Sequence, residues 1–191
     1  MLVHVTRFVL VQELVAEAIE DYVGTLRERV RYGDGPTSLP IRDELRELWE
    51  SDFAPTFEGM PAEDRGTPLT WSSVDVELTE FLERISVYRV NGSGRDALQY
   101  RDHDADGLAV IAVGGDKLSR GLTLEGLTMS YYLRTSRMYD TLMQMGRWFG
   151  YRPGYLDLCR LYTSPELQRW YSHITMANEE LNRRFDEMSA L

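Results

Sequence analysis

Residues 2–10, Leu-Val-His-Val-Thr-Arg-Phe-Val-Leu, form a mostly apolar, β-branched run that predicts a buried strand. Immediately after it, Val11, Leu14, Val15, Ala18, Ile19, Tyr22, Val23, Leu26 and Val30 recur at three- and four-residue steps, opposite Glu13, Glu17, Glu20, Asp21, Arg27 and Arg29. That period predicts an amphipathic helix, which Gly33-Asp-Gly-Pro36 ends. From Thr37 to Thr70 the pattern changes. It predicts one short helix, Ile41 to Phe53, with Ser38 as its cap and Pro40 in its first turn, and then a loop bearing Pro55, Gly59, Pro61, Gly66 and Pro68. Residues 34–70 therefore read as an acidic helical and loop insertion between core elements, a solvated surface module or a partner-docking surface.

A helix from Ser73 to Ile85 returns the chain to the core, with Val74, Leu78, Phe81, Leu82 and Ile85 on one face. Val87–Val90 predicts a strand, Asn91–Gly94 a turn, and Arg101–Asp106 a polar loop. Leu108-Ala-Val-Ile-Ala-Val113 is the clearest strand, suited to the centre of a parallel sheet. Leu127–Leu133 predicts another strand, Tyr139–Trp148 a short helix, Leu156–Thr163 a further strand, and residues 164–191 a terminal helix opened by Ser164-Pro165. Strands alternating with helices predict an α/β fold, a mostly parallel sheet with helices on both faces, as a single domain over residues 1–191.

The length of 191 residues and 43% apolar content suit one such domain with an insertion. Cys159 is the one cysteine, which excludes a disulfide framework or a cysteine zinc site and fits a reducing cytoplasm. No apolar run approaches the roughly 18 residues of a membrane span, and the N-terminus lacks the layout of a secretion signal, so a soluble cytoplasmic chain without membrane contact is expected. His103 lies among Asp102, Asp104 and Asp106, but a flexible loop with no second histidine predicts a polar turn and no metal site.

A net charge of −10 argues against nucleic-acid binding by bulk electrostatics. The charge is uneven, however. Residues 31–84 carry thirteen acids against five arginines, whereas residues 114–160 carry seven bases against four acids. Positive charge gathers where two glycine- and arginine-bearing motifs lie.

The first motif, Gly114-Gly-Asp-Lys-Leu-Ser-Arg-Gly121, leaves the end of the clearest strand, where the loops of an open parallel sheet line the ligand crevice. Its glycines permit close backbone approach, Ser119 and main-chain amides suit phosphate oxygens, and Lys117 and Arg120 add charge. Asp116 suits capping the turn, orienting an arginine or accepting from a nucleotide hydroxyl. In the second motif Gln144 and Arg147 lie three apart on one helix face, with Arg152 just beyond and Trp148, Phe149, Tyr151 and Tyr155 as aromatic anchors. A helix end presenting arginines in this way suits contact with a phosphate chain bound elsewhere, as an arginine finger does.

Asp116-Lys-Leu-Ser-Arg-Gly-Leu-Thr123 resembles motif V of superfamily 2 helicases, and Gln144-Met-Gly-Arg147 with Arg152 resembles their motif VI. Together, Gly114–Leu127 and Asp140–Arg152 are similar to the Z1 domain, a helicase-type second RecA-like domain found behind DEAD-like ATPase domains in bacterial restriction and anti-phage proteins. The dense match covers roughly residues 86–163. The resemblance implies Arg147 and Arg152 as finger candidates on a γ-phosphate, and Gln144, Gly146 and Asp116 as nucleotide contacts. It implies Lys117, Ser119, Arg120, Gly121, Thr123 and Thr135 as DNA-contacting and coupling residues. Thr123 stands where helicases often carry an acid, and Arg152 lies five positions after Arg147 where helicase motif VI usually places its final arginine three positions on.

The chain contains no Gly-x-x-x-x-Gly-Lys-Ser/Thr loop, no metal-holding Asp-Glu pair at a strand end and no nuclease constellation. ATP and Mg²⁺ are therefore expected to be held mainly by an N-terminal DEAD-like ATPase domain of the same protein. Double-stranded DNA and a nuclease subunit or domain are the other expected partners. The function expected is the C-terminal motor half of an ATP-dependent DNA translocase. The alternative is a non-catalytic RecA-like module that docks a nuclease or regulator through its acidic insertion.

Overall fold

The computed structural model describes residues 1–6, 8–34, 40–90, 107–115, 126–133 and 154–189. Five strands form one sheet: β1 (Leu2–His4), β2 (Ser86–Val90), β3 (Val110–Gly114), β4 (Met129–Tyr132) and β5 (Arg160–Thr163). All their pairings are parallel, in the order β2-β3-β1-β4-β5. The α/β reading and the parallel sheet are thus found as expected. The chain runs from central β1 to edge β2, back through β3, then across β1 to β4 and out to β5. β1 therefore sits where the winding reverses direction.

Among the described residues five α-helices accompany the sheet: α1 (Val9–Tyr32), α2 (Ile41–Leu48), α3 (Ala54–Gly59), α4 (Trp71–Arg84) and α5 (Pro165–Ser189). Side chains alternate along a strand, so Val3 points to one face of β1 and Leu2 and His4 to the other. Val3 and Val113 pack with Ala16 of α1, backed by Val15, Ile19, Val87 and Ile111. Tyr132 is in register with His4, on the opposite face, and packs with Leu167 and Ile174 of α5. Helices thus cover both faces. A second layer forms where Val30 of α1, Ile41 of α2 and Leu82 of α4 bury one another.

Several expected elements differ in detail. The first strand ends at His4 instead of reaching Leu10, because its neighbours β3 and β4 end in register with it at Gly114 and Tyr132. Val9 and Leu10 instead open α1, exposed on its first turn. The buried face of α1 is also rotated: Gln12, Ala16, Val23 and Val30 are buried, while Val11, Leu14 and Tyr22 are exposed. In the C-terminal part, Leu156–Leu158 is a 3₁₀ turn and only Arg160–Thr163 is strand.

The insertion is more helical than its prolines suggest. α2 passes into a π-helical turn, Trp49–Phe53, where the Ala54 N–H donates to the Trp49 carbonyl, and α3 follows. Pro55 sits in the first turn of α3. The widened turn supplies the slack that a proline needs when it removes a helical hydrogen bond. Ser38 lies outside the described residues; the α2 amino end is held by Asp34, whose carboxylate accepts from the Ile41 N–H at 2.5 Å and pairs with Arg29. α4 starts two residues earlier than expected, through a capping box in which the Ser73 N–H donates to Thr70 Oγ1 and the Thr70 N–H to Ser73 Oγ.

The insertion is also bound to the sheet. The Arg160 guanidinium, at the start of β5, makes a two-toothed contact with the Asp52 carboxylate at 2.9–3.1 Å, donates to Thr56 Oγ1 at 3.0 Å and stacks 4.6 Å over the Phe53 ring. Gly66 N–H donates to Asp157 Oδ1 at 3.2 Å. The insertion is therefore part of the body of the domain. Among the described residues no helix is long and apolar enough to cross a membrane.

Candidate functional site

In an all-parallel sheet every strand presents its carboxyl end on the same edge, and ligands of open α/β folds bind there, at the reversal of winding. Here the reversal lies at β1, flanked by β3 and β4. Neighbouring strands run about 4.8 Å apart, so the carboxyl ends of β3 and β4 are roughly 10 Å from each other. The first motif begins directly after the end of β3 at Gly114-Gly115, and Thr135 lies two residues beyond Leu133, which follows β4.

Close contacts fix this edge. The Val5 N–H donates to the Gly114 carbonyl at 3.2 Å, and the Leu133 N–H to the His4 carbonyl at 3.1 Å, so the hydrogen bonding between β1 and both flanking strands continues to their carboxyl ends. Gly115 is pressed against the turn between β1 and α1: a Cβ there would lie 2.3 Å from the Thr6 carbonyl oxygen and 2.7 Å from Gln12 Nε2. Only glycine fits at that distance from a backbone atom. Gln12, 5% exposed, donates from Nε2 to the same Thr6 carbonyl at 2.7 Å. The end of β1, the first turn of α1 and the entry to the glycine motif thus meet at one point.

An aromatic stack lies on the other face. His4, 0% exposed, stacks on Tyr132 at 5.1 Å between ring centroids, and Tyr132 meets Tyr171 of α5 edge-on at 6.5 Å. Burial, reinforced by Tyr171, pushes the Tyr132 hydroxyl far above its ordinary range, and burial raises Tyr171 as well. Both hydroxyls stay neutral in ordinary solution, so the stack works as packing that seats α5 beneath the carboxyl ends of β1 and β4.

The residues expected to carry chemistry lie outside the described residues: Asp116, Lys117, Ser119, Arg120, Gly121 and Thr123 in the first motif, Thr135, and Gln144, Gly146, Arg147 and Arg152 in the second. His103 and its neighbouring aspartates do too. The structure places their flanks: Gly115 before the first motif, Leu133 before the segment holding the second, and Gly154 after it, six residues ahead of β5. Among the described residues no group of three or more His, Cys, Asp or Glu is placed to hold a metal ion.

Two sets of residues that sequence reasoning did not single out shape the site. Gln12 is one; a polar residue at a position where four-residue steps lead to Ala16 was its signal. The other is the Arg160, Asp52 and Thr56 cluster, which braces the strand leading away from the second motif and leaves no local mark in sequence.

A family model described as the Z1 domain matches residues 1–191. No curated protein and no solved structure matches the chain.

Proposed function

Starting from the fact that the chain belongs to the Z1 domain family, we propose that it is the C-terminal, RecA-like motor half of an ATP-dependent DNA translocase of a restriction or anti-phage system. The observation that carries this reading is the strand order. With β3 and β4 flanking β1 in an all-parallel sheet, the first motif and Thr135 both follow strands whose carboxyl ends border the reversal point. Gly115, held against Thr6 and Gln12, gives the first motif a rigid origin, which a loop that passes nucleotide state to a DNA grip requires.

In this reading Arg147 and Arg152 supply the arginine finger, and Gln144, Gly146 and Asp116 contact the nucleotide. Lys117, Ser119, Arg120, Gly121, Thr123 and Thr135 link nucleotide state to the DNA backbone. ATP and Mg²⁺ are held mainly by a DEAD-like ATPase domain that pairs with this one, and a nuclease subunit or domain uses the movement. Removing a finger is expected to lower turnover on the order of 10³-fold or more. The test is DNA-stimulated ATPase of the protein that also carries the ATPase domain, with Arg147→Ala and Arg152→Ala made separately. One of the two should abolish stimulation. Unchanged activity in both would end the finger assignment.

A further inference from the structure

We propose that the cavity between the insertion and the residues leading into β5 is a binding site for a guanidinium group on an alkyl stem. The cavity has a volume of about 300 Å³ and is lined by Trp49, Phe53, Phe57, Leu69, Gly66 and Asp157, among others. It lies outside every residue assigned to nucleotide or DNA.

Two carboxylates line it, the exposed Glu58 and the buried Asp157, and the chemistry comes from the buried one. Asp157 is 6% exposed, so it is more than nine-tenths buried, yet it lines the cavity. Its Oδ1 accepts from the Gly66 N–H at 3.2 Å. Its Oδ2 has no partner among the described residues. The nearest guanidinium in sequence, that of Arg160, donates to the Asp157 main-chain carbonyl at 2.8 Å but spends its charged contacts on Asp52. Oδ2 opens on the cavity, so a cation there reaches a largely buried carboxylate that has one amide donor and no counter-ion.

The walls select which cation. Trp49 and Phe53 stack nearly parallel, 9° apart with centroids 5.9 Å from each other, and Phe57 adds a third ring. Aromatic faces attract cations through their quadrupole. Two of these rings accept guanidinium groups from residues outside the cavity lining, Arg160 over Phe53 at 4.6 Å and Arg65 over Phe57 at 5.5 Å. A guanidinium is planar, weakly hydrated and able to stack on a ring while donating to a carboxylate oxygen, whereas an ammonium gives up more hydration on entry. The apolar remainder, Leu69 included, suits an alkyl stem.

The ligand is thus a guanidino compound or an arginine side chain of another polypeptide, and the full chain can be titrated with probes that tell these apart. By calorimetry, n-butylguanidinium should bind saturably and n-butylurea, its neutral planar isostere, at least about tenfold more weakly. Asp157→Asn keeps an acceptor for the Gly66 N–H and should erase that difference while the circular dichroism spectrum stays unchanged. N-acetyl-arginine methylamide binding as well as n-butylguanidinium marks a polypeptide arginine as the occupant; binding by n-butylguanidinium alone marks a small guanidino compound. Equal binding of the urea and guanidinium forms to the native chain overturns the proposal without recourse to any variant. So does the absence of saturable binding at tens of millimolar, or n-butylguanidinium binding that Asp157→Asn leaves undiminished.

Discussion

Replacing Arg160 by alanine should detach the insertion from the sheet edge without disturbing the sheet's own ladder. The Arg160 side chain is 14% exposed and the Asp52 side chain 35%. Breaking a fully buried ion pair by removing one partner costs about 3–5 kcal/mol, and an exposed pair is worth at most about 1 kcal/mol. With a third of Asp52 in water, the pair falls between these limits, at about 2 kcal/mol. Loss of the guanidinium over Phe53 adds about 0.5–1 kcal/mol. The expected loss is therefore about 2–3 kcal/mol, a fall in Tm of roughly 5–10 °C for a chain of this size. Urea unfolding of the native chain, Arg160→Ala, Asp52→Ala and the double variant measures it. The cycle should give a coupling of about 1–2 kcal/mol, since each single variant strands the other partner. A loss below about 0.5 kcal/mol, or strict additivity, would refute the claim that this contact holds the insertion.

Gly115→Ala should destabilise the chain by about 1–3 kcal/mol, because the added Cβ meets the Thr6 carbonyl, a backbone atom that cannot turn aside; an unfolding midpoint equal to that of the native chain would show that the turn has room. Asp34 is held below its ordinary 3.8 by the Arg29 guanidinium first and the Ile41 N–H second, and Asp52 is held below it by Arg160. Folded values below the unfolded ones mean that the stability these carboxylates contribute is complete above about pH 5 and is lost as pH falls through the folded values. Asp34→Asn should accordingly flatten the pH dependence of the urea midpoint between about pH 5 and 3, and superimposable profiles would rule out this linkage. Tyr132 and Tyr171, raised by burial, should not ionise in the folded chain at moderately alkaline pH, so absorbance should show at least two tyrosines that ionise only when the chain unfolds. A Tyr132→Phe variant that titrates as the native chain does below the unfolding transition is the matching outcome.

The pattern of the chain reveals the sheet better than its attachments, for a physical reason. Leu108–Val113 is apolar without interruption and Leu127–Leu133 mostly apolar because β3 and β4 have neighbours on both sides, and that burial is written locally in each run. The face of α1 is harder to read, since Phe8–Leu14 offers apolar residues on two sides, and the choice between them follows the packing of Ala16 against Val3 and Val113, a contact that spans the sheet. The helix Ala54–Gly59 is hidden because Pro55 argues for a loop wherever the widened turn before it is not foreseen. The bond from Arg160 to Asp52 spans 108 residues and has no periodicity at all. Of the candidate site, sequence supplies the motif residues and structure supplies the edge from which they depart.

That attachment changes how the motor reading should be separated from the docking alternative. Deleting residues 37–68 would remove Ile41, 4% exposed in the core with Val30 and Leu82, together with Asp52, Thr56 and Gly66, each tied to β5 or to the turn before it. Loss of activity after such a deletion would follow from unfolding under either reading. The discriminating change must instead alter the outward face of α2 and of the π-helical turn after it, and leave their inward face intact. Asp43, Glu47 and Glu50 are exposed, and the Glu50 pair with Arg46 is a solvent-screened surface contact that contributes little. Asp43→Asn, Glu47→Gln and Glu50→Gln together should therefore fold as the native chain does. The motor reading expects DNA-stimulated ATPase to survive in the protein that carries the ATPase domain. Retained ATPase with loss of a co-purifying nuclease or regulator would make the insertion a docking surface added to a motor. Native arginine-finger variants that keep full activity, alongside partner loss in the α2 triple variant, would favour the scaffold over the motor.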